Sequence, residues 1–79
     1  TKAIQLDPGE AVLYNNRGVS YKNLSQYQLA INDYTKAIQL DPDYAYAYYN
    51  RGVTFRILGN NALASEDFNK ACELDRSNC

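Results

Sequence analysis

Apolar side chains along this sequence recur at intervals of three, four and seven residues, the spacing of one face of an α-helix. This spacing predicts four helices joined by connections of two to four residues, and it predicts no β-strand. Connections this short make neighbouring helices antiparallel hairpins. Residues 1–6 are interpreted as the last turns of an earlier helix. The four predicted helices cover residues 10–24, 26–40, 44–58 and 61–74.

Residues of the types that begin and end helices stand between these segments. Pro8 and Gly9 are expected to stop the first segment, because proline disfavours helical backbone in the residue before it and glycine permits a turn. Gly59 is expected to end a helix in the left-handed conformation. Three polar residues stand where helix N-caps are expected: Ser25, Asp43 and Asn60.

The sequence repeats itself at an offset of 34 residues. Residues 35–42 have the same letters as residues 1–8, and residues 50–53 have the same letters as residues 16–19. An internal period of this length is typical of stacked-repeat proteins. A chain built in this way favours a binding surface over an enzyme.

Small residues predict where the two helices of a hairpin cross closely: Gly18 with Ala30, and Gly52 with Ala64. Glycine inside a helix costs about 1 kcal/mol relative to alanine, so close packing is the expected compensation. Aromatic side chains are expected to fill the space on either side of each crossing: Tyr21, Tyr34, Phe55 and Phe68.

The composition argues against catalysis. The chain has 79 residues, which is enough for one domain, and it has no histidine. Without histidine a Ser-His-Asp or Cys-His arrangement cannot form, and the commonest transition-metal ligand is missing. No enzyme activity, cofactor or metal is therefore expected. The helical carboxylates are expected to lie on solvated faces: Asp33, Glu66, Asp67 and Glu73.

The charge balance supplies no reason to expect nucleic acid or a membrane surface. The net charge is −1, and the cations Lys22 and Arg56 are expected to be balanced by neighbouring acids. No apolar run approaches the roughly 18 residues that span a membrane, and no signal-peptide pattern opens the chain.

The two cysteines, Cys72 and Cys79, are predicted to remain separate thiols. Seven residues of continuous helix would place them roughly 10 Å apart, beyond the reach of a disulfide. Cys72 is expected to act as a small buried hydrophobe and Cys79 as a terminal thiol. A reduced, cytoplasmic compartment is weakly favoured by this interpretation.

The residues resemble a known repeat family. The run Tyr14-x-x-Arg17-Gly18-x-x-Tyr21, followed by alanine, tyrosine, alanine and proline at Ala30, Tyr34, Ala37 and Pro42, resembles the tetratricopeptide pattern W-x-x-L-G-x-x-Y, A, F, A, P. The resemblance implies an all-α fold, an α-solenoid of antiparallel helix-turn-helix repeats wound into a right-handed superhelix. It divides one domain, residues 1–79, into the end of one repeat, 1–10, and two complete repeats, 11–44 and 45–78.

The chain departs from the family pattern at several places. Arg17 and Arg51 replace a leucine, and each is expected to lay its aliphatic stem on the core and its head in water or on a nearby carboxylate. A ligand-binding role for these arginines is the alternative. The last helix is more polar than its counterpart, as in a terminal repeat, so the array is expected to end near Cys79. The chain begins inside a repeat without methionine, and we interpret it as a piece of a longer array or as a trimmed chain.

The resemblance implies that the first helix of each pair lines a concave groove that binds a peptide segment of a partner. The asparagines would bond an extended backbone, and the tyrosines, valine and isoleucine of the second repeat would make one end apolar. Some members grip a terminal carboxylate, but valine or tyrosine stands at Val12, Val19 and Tyr46, where such a clamp needs cations or asparagine. The implied groove residues are Val12, Asn15, Asn16, Val19, Lys22, Asn23, Tyr46, Tyr49, Asn50, Val53, Arg56 and Ile57.

Two other interpretations of this surface remain open. The tyrosines at 44, 46, 48 and 49 could simply cover hydrophobic neighbours in the stack; of these, Tyr48 is expected in the core and Tyr44 at the surface or in a loop contact. The chain could instead be a structural module that stacks end to end into homo-oligomers, since about three repeats are usually needed for a stable stack.

Overall fold

The computed structural model describes residues 8–79, and in these residues the chain forms four α-helices, one short 3-10 turn and no strand. The all-α prediction is confirmed. The predicted helical segment over residues 1–6 lies outside the described residues. The helices are α1 (Pro8–Asn23), α2 (Tyr27–Leu40), α3 (Ala45–Ile57) and α4 (Asn61–Leu74), and the 3-10 turn is Arg76–Asn78.

Two helix-end predictions are confirmed at the turn between α3 and α4. Gly59 has φ +85°, and its N–H donates to the carbonyl of Arg56 at 2.9 Å. Asn60 follows, and its side-chain oxygen accepts from the backbone N–H of Leu63 at 3.3 Å. Together they end one helix and begin the next within three residues.

Two other helix-end predictions are wrong. Ser25 does not cap α2; it has φ +62° and closes α1 in the left-handed conformation, at the place that Gly59 takes one repeat later. Asp43 does not cap α3, and its own N–H donates to a side-chain oxygen of Asp41 at 3.1 Å. α1 begins at Pro8, two residues earlier than predicted, because proline suits the first helical position, where its missing N–H costs nothing. The segment that Pro8 and Gly9 are predicted to stop lies outside the described residues.

The helices pack as two hairpins, α1 with α2 and α3 with α4, and α2 lies between α1 and α3. The centre of the stack is made of alanines from three helices: Ala11, Ala37 and Ala47 are fully buried. Tyr14, Ile38, Leu40 and Tyr44 pack around them. The small alanine side chains let the helices approach closely, and the larger side chains around them are partly buried.

The predicted close crossings at the two helical glycines are confirmed. A Cβ on Gly18 would lie 2.6 Å from Cε1 of Tyr34. A Cβ on Gly52 would lie 2.9 Å from Cε1 of Phe68 and 3.2 Å from the carbonyl oxygen of Ala64. Each glycine therefore makes room for an aromatic ring from the second helix of its own hairpin.

Each hairpin also contains a bidentate arginine–aspartate salt bridge between its two helices. Nε and Nη2 of Arg17 donate to Asp33 at 2.7 and 2.8 Å, and the same atoms of Arg51 donate to Asp67 at 2.8 and 2.8 Å. The hydrogen bonds to Asp33 raise the pKa of Arg17 above its ordinary value. The expectation that each arginine head rests on a nearby carboxylate is confirmed.

Two of the predicted solvated carboxylates are in fact buried. Asp33 is 5% exposed and Asp67 is 4% exposed, whereas Glu66 and Glu73 are exposed as predicted. The prediction was wrong for the aspartates because each one neutralises an arginine that projects across the hairpin, a partner sixteen residues away in the sequence.

Cys72 and Cys79 form a disulfide, with their Cα atoms 4.8 Å apart, so the prediction of separate thiols is wrong. The error came from measuring the distance between the cysteines along continuous helix, although the helix predicted there covers only residues 61–74. The helix ends at Leu74, and the 3-10 turn folds Cys79 back onto Cys72. Asp75 stabilises this turn by accepting from the N–H and hydroxyl of Ser77 at 3.0 and 2.8 Å, which lowers the pKa of Asp75. A disulfide gives no support to a reduced compartment.

Within residues 8–79, no helix combines the length and the apolar character that crossing a bilayer requires.

Tyr34 is fully buried, and its hydroxyl lies beside that of Thr54 without a well-aligned hydrogen bond. The Thr54 hydroxyl instead donates to the carbonyl of Asn50 at 2.9 Å. Burial raises the pKa of Tyr34 to about 12, and the neighbouring Thr54 partly opposes this rise. The second repeat has Phe68 at the corresponding position, with no hydroxyl to satisfy.

Replacing Tyr34 with phenylalanine is expected to raise the free energy of unfolding by about 1 kcal/mol, because it removes an unsatisfied buried hydroxyl. The unfolded chain loses the tyrosine proton near pH 10 and the folded chain near pH 12, so the titration of Tyr34 lowers the free energy of unfolding as the pH rises from 10 to 12. Urea titrations should therefore show a shallower alkaline loss for Tyr34→Phe. Tyr46→Phe, at a residue 64% exposed, is the control and should change little. A less stable Tyr34→Phe would contradict the assignment.

Candidate peptide-binding surface

α1 and α3 run in the same direction as neighbours, because α2 returns the chain between them. A side-chain hydrogen bond joins the two helices directly: Nδ2 of Asn50 donates to Oδ1 of Asn15 at 3.0 Å. Arg51 of α3 also donates to the hydroxyl of Thr35 in α2 at 3.2 Å. We call the solvent-facing side of α1 and α3 the first-helix surface.

Most of the predicted groove residues have accessible side chains on this surface. Val12, Asn16, Asn23, Tyr46, Tyr49, Arg56 and Ile57 are exposed, and Val19, Lys22, Asn50 and Val53 are half-buried. Asn15 differs from them, because only 6% of it is exposed. A peptide lying on the surface would not reach the Asn15 side chain, which holds the two repeats together.

The burial of Asn15 follows from its position between repeats. Its oxygen accepts from Asn50, and the Tyr44 hydroxyl lies beside the Asn15 side chain, which partly offsets the rise that burial causes in the pKa of Tyr44. Sequence reasoning placed Asn15 correctly on α1 but could not know how closely α3 approaches it. Asn50 uses one of its two amide hydrogens in this bond.

Apolar side chains form a stripe along α3 and a shorter one along α1. Tyr46, Val53 and Ile57 follow the helical spacing of seven and four residues, and Tyr46 and Ile57 are 64% and 50% exposed. On α1, Val12 is 42% exposed and Val19 follows it by seven residues. Large apolar side chains exposed together on one surface are typical of an interaction site.

Tyr49 and Arg56 lie against Phe68, an aromatic residue that the sequence analysis assigned only to the core. The rings of Tyr49 and Phe68 lie 5.6 Å apart at 50°, and the Arg56 guanidinium lies 5.4 Å from the Phe68 ring centre. Tyr34, the counterpart of Phe68, is completely buried, whereas Phe68 is only half-buried. The period of 34 residues gave no signal for this aromatic cluster, because the counterparts of Tyr49 and Phe68 are Asn15 and the buried Tyr34.

The four clustered tyrosines divide between the surface and the core. Tyr46 and Tyr49 are exposed on the first-helix surface. Tyr48 is half-buried, with the Arg51 guanidinium 5.8 Å from its ring. Tyr44 is predicted at the surface or in a loop contact; it is the residue immediately before α3, and from there it packs against the central alanines.

A separate open pocket of about 230 Å³ lies beside α1, lined by Glu10, Leu13, Tyr14 and Arg17. In the second repeat, Ala47 stands at the place of Leu13 and is completely buried, and Arg51 bonds Thr35 there. The pocket therefore belongs to the face where repeats pack together, and it does not form part of the first-helix surface.

These features define a class of protein: stacked helical hairpins that present one continuous surface for contact with another molecule. The tetratricopeptide repeat family model matches residues 11–44 and 45–78, and the chain belongs to that family. Members of this family are generally non-catalytic interaction modules.

A solved structure is similar to the whole described fold. It is the first TPR of Spaghetti (RPAP3), bound to the HSP90 peptide SRMEEVD, with a TM-score of 0.90 and 32% sequence identity. The similarity covers 95% of this chain and 60% of that one, so this chain spans less than two thirds of the length of its structural neighbour. No sequence among the curated proteins matches the chain.

Proposed function

We propose that the first-helix surface binds a peptide segment of a partner protein, with apolar or aromatic side chains as its anchors. The observation that carries this proposal is the stripe of Tyr46, Val53 and Ile57, which is accessible beside the carboxamides Asn16 and Asn50. Apolar side chains supply most of the binding energy at such surfaces, and amides fix the backbone of the ligand.

The similarity to the Spaghetti domain supports a peptide as the kind of ligand, because that domain is bound to one. It does not extend to the ligand sequence. Val12, Val19 and Tyr46 stand where a terminal-carboxylate clamp would need cations or an asparagine. Burying a carboxylate against these side chains would cost desolvation free energy, because none of the three offers a cation or a side-chain hydrogen-bond donor of the kind the clamp uses.

Binding should depend on the apolar stripe. In a fluorescence anisotropy titration, Tyr46→Ala with Ile57→Ala is expected to weaken binding of an apolar or aromatic peptide, selected on an array of blocked peptides, by roughly tenfold or more. The control is Leu29→Ala in α2, which removes a side chain that is also exposed, at 43%, on the other side of the hairpin. Leu29→Ala should bind as the unmodified protein does.

The same titration distinguishes recognition of apolar side chains from recognition of a terminal carboxylate. SRMEEVD with a free C-terminus and SRMEEVD with an amidated C-terminus should bind equally weakly. Tight binding that requires the free carboxylate would contradict the proposal, and so would an array with no preference for apolar or aromatic peptides.

End-to-end association of two copies is the second candidate function, and one exposed face favours it. Leu13 is 64% exposed, although Ala47, its counterpart in the second repeat, is completely buried. The opposite face is less suited to stacking, because the exposed Ser65 stands where the first repeat has the buried Ile31. A molar mass that rises with concentration in light scattering would favour this alternative.

A further inference from the structure

The net charge of the whole chain is close to zero, but the charges are unevenly distributed. Cations predominate on the first helix of each hairpin, and acids predominate on the second. α1 and α3 carry four cations, Arg17, Lys22, Arg51 and Arg56, against one acid, Glu10. α2 and α4 carry four acids, Asp33, Glu66, Asp67 and Glu73, against Lys36 and Lys70. Most of the acids that bring the net charge close to zero therefore lie on the second helix of each hairpin.

Two of the four first-helix cations are already neutralised. Arg17 and Arg51 are held by the buried carboxylates of Asp33 and Asp67. Within the described part of the chain, no ion pair engages Lys22 or Arg56. These two side chains are the cations that remain for a ligand.

Lys22 and Arg56 occupy corresponding places in the two repeats, in the last turns of α1 and α3. Lys22 follows Asn15 by seven residues, so it lies on the side of α1 that faces α3. Arg56 follows Tyr49 by the same interval, and its guanidinium rests over the Phe68 ring at 5.4 Å. Because the two helices are parallel, both cations lie at one end of the first-helix surface.

The opposite end of the surface is apolar. Val12 and Tyr46 lie in the N-terminal halves of α1 and α3 and are 42% and 64% exposed. Each stands ten residues before the cation of its own helix, a distance of about 15 Å along the helix axis. An extended peptide covers this distance with four or five residues, at roughly 3.3 Å per residue.

We propose that this surface selects peptides that combine an apolar or aromatic anchor with side-chain carboxylates four or five residues away. The anchor packs on Val12 and Tyr46, and the carboxylates pair with Lys22 and Arg56. This inference rests on the proposed peptide-binding function and adds the charge and the spacing of the ligand. It requires no terminal carboxylate, since both cations lie outside the positions of such a clamp.

The test uses synthetic ten-residue peptides, acetylated and amidated so that the termini carry no charge. Each contains the same apolar or aromatic pair at one end, followed after four residues by Glu-Glu or by Gln-Gln. At low ionic strength the Glu-Glu peptide is expected to bind about fivefold more tightly, and 0.5 M salt should remove most of this difference.

Variants of the protein assign the effect to the two cations. Lys22→Gln with Arg56→Gln should reduce the preference for Glu-Glu to less than about twofold, while Arg56→Lys, which keeps the charge, should retain most of it. Lys36→Gln, at an exposed cation in α2, is the matched control and should keep the full preference. When the Glu-Glu pair is placed directly beside the anchor, its gain in affinity over Gln-Gln should be smaller.

The outcomes distinguish the inference from the function on which it rests. Equal binding of the Glu-Glu and Gln-Gln peptides, with both weakened by Tyr46→Ala, would overturn the charge selection and leave peptide binding intact. A preference that survives loss of both cations would also overturn it. Failure of every peptide to bind would overturn both proposals together.

Discussion

Replacing Arg51 with leucine is expected to lower the free energy of unfolding by about 3–5 kcal/mol, because it leaves the Asp67 carboxylate buried without a partner. Asp67 is 4% exposed, and Arg51 supplies it with two hydrogen bonds of 2.8 Å. The same change removes the bond from Arg51 to Thr35, which links the two repeats. For a chain of this length, such a loss is a large part of the total stability.

Two comparisons make this prediction specific. Arg17→Leu breaks the equivalent pair, but the Arg17 side chain is 59% exposed against 21% for Arg51, so water replaces more of the lost interaction and the loss should be clearly smaller. Arg51→Leu combined with Asp67→Leu should recover much of the stability, because no buried charge remains. Equal losses for the two arginine variants in urea titrations, or no recovery in the double variant, would contradict the prediction.

Replacing Gly18 with alanine is expected to lower the free energy of unfolding by about 1–3 kcal/mol, even though alanine is the better helix former by about 1 kcal/mol. The added Cβ would lie 2.6 Å from the Tyr34 ring. That ring projects from α2 toward Gly18 of α1 and is fully buried, so we expect the backbones of α1 and α2 to separate.

Gly52→Ala is the matched comparison, and it should cost less than Gly18→Ala. Its Cβ would meet Phe68 at 2.9 Å and the Ala64 carbonyl oxygen at 3.2 Å, but the Phe68 ring is only half-buried, whereas the Tyr34 ring is fully buried. Ser20→Ala in α1, at an exposed position, controls for helix propensity and should be neutral or slightly stabilising. Circular dichroism during urea unfolding measures all three, and a neutral Gly18→Ala would show that the crossing is looser than its geometry indicates.

The candidate surface was predictable to the extent that helix periodicity places residues on faces. Val12, Val19, Tyr46, Val53 and Ile57 are accessible where the pattern put them. Burial between repeats was not predictable in this way. Asn15 lies on the same face of α1 as Val12 and Val19, three and four residues away, and it is buried because α3 approaches it.

The sequence by itself determined the four helices, the all-α class and the close crossings at Gly18 and Gly52. These depend on local periodicity and on an internal period of 34 residues, and both can be counted along a single chain. The left-handed turn at Gly59 and the cap at Asn60 belong with them, since each depends on one residue and its immediate neighbours.

Only the tertiary structure decided which polar groups are buried and which are accessible on the surface. Asp33 and Asp67 are buried because arginines sixteen residues away reach them across a hairpin, and this pairing leaves Lys22 and Arg56 as the cations of the first-helix surface. The disulfide between Cys72 and Cys79 likewise depends on where α4 ends and how the chain turns back. Such contacts join residues that helical periodicity treats as independent, so they appear only once the helices are packed together.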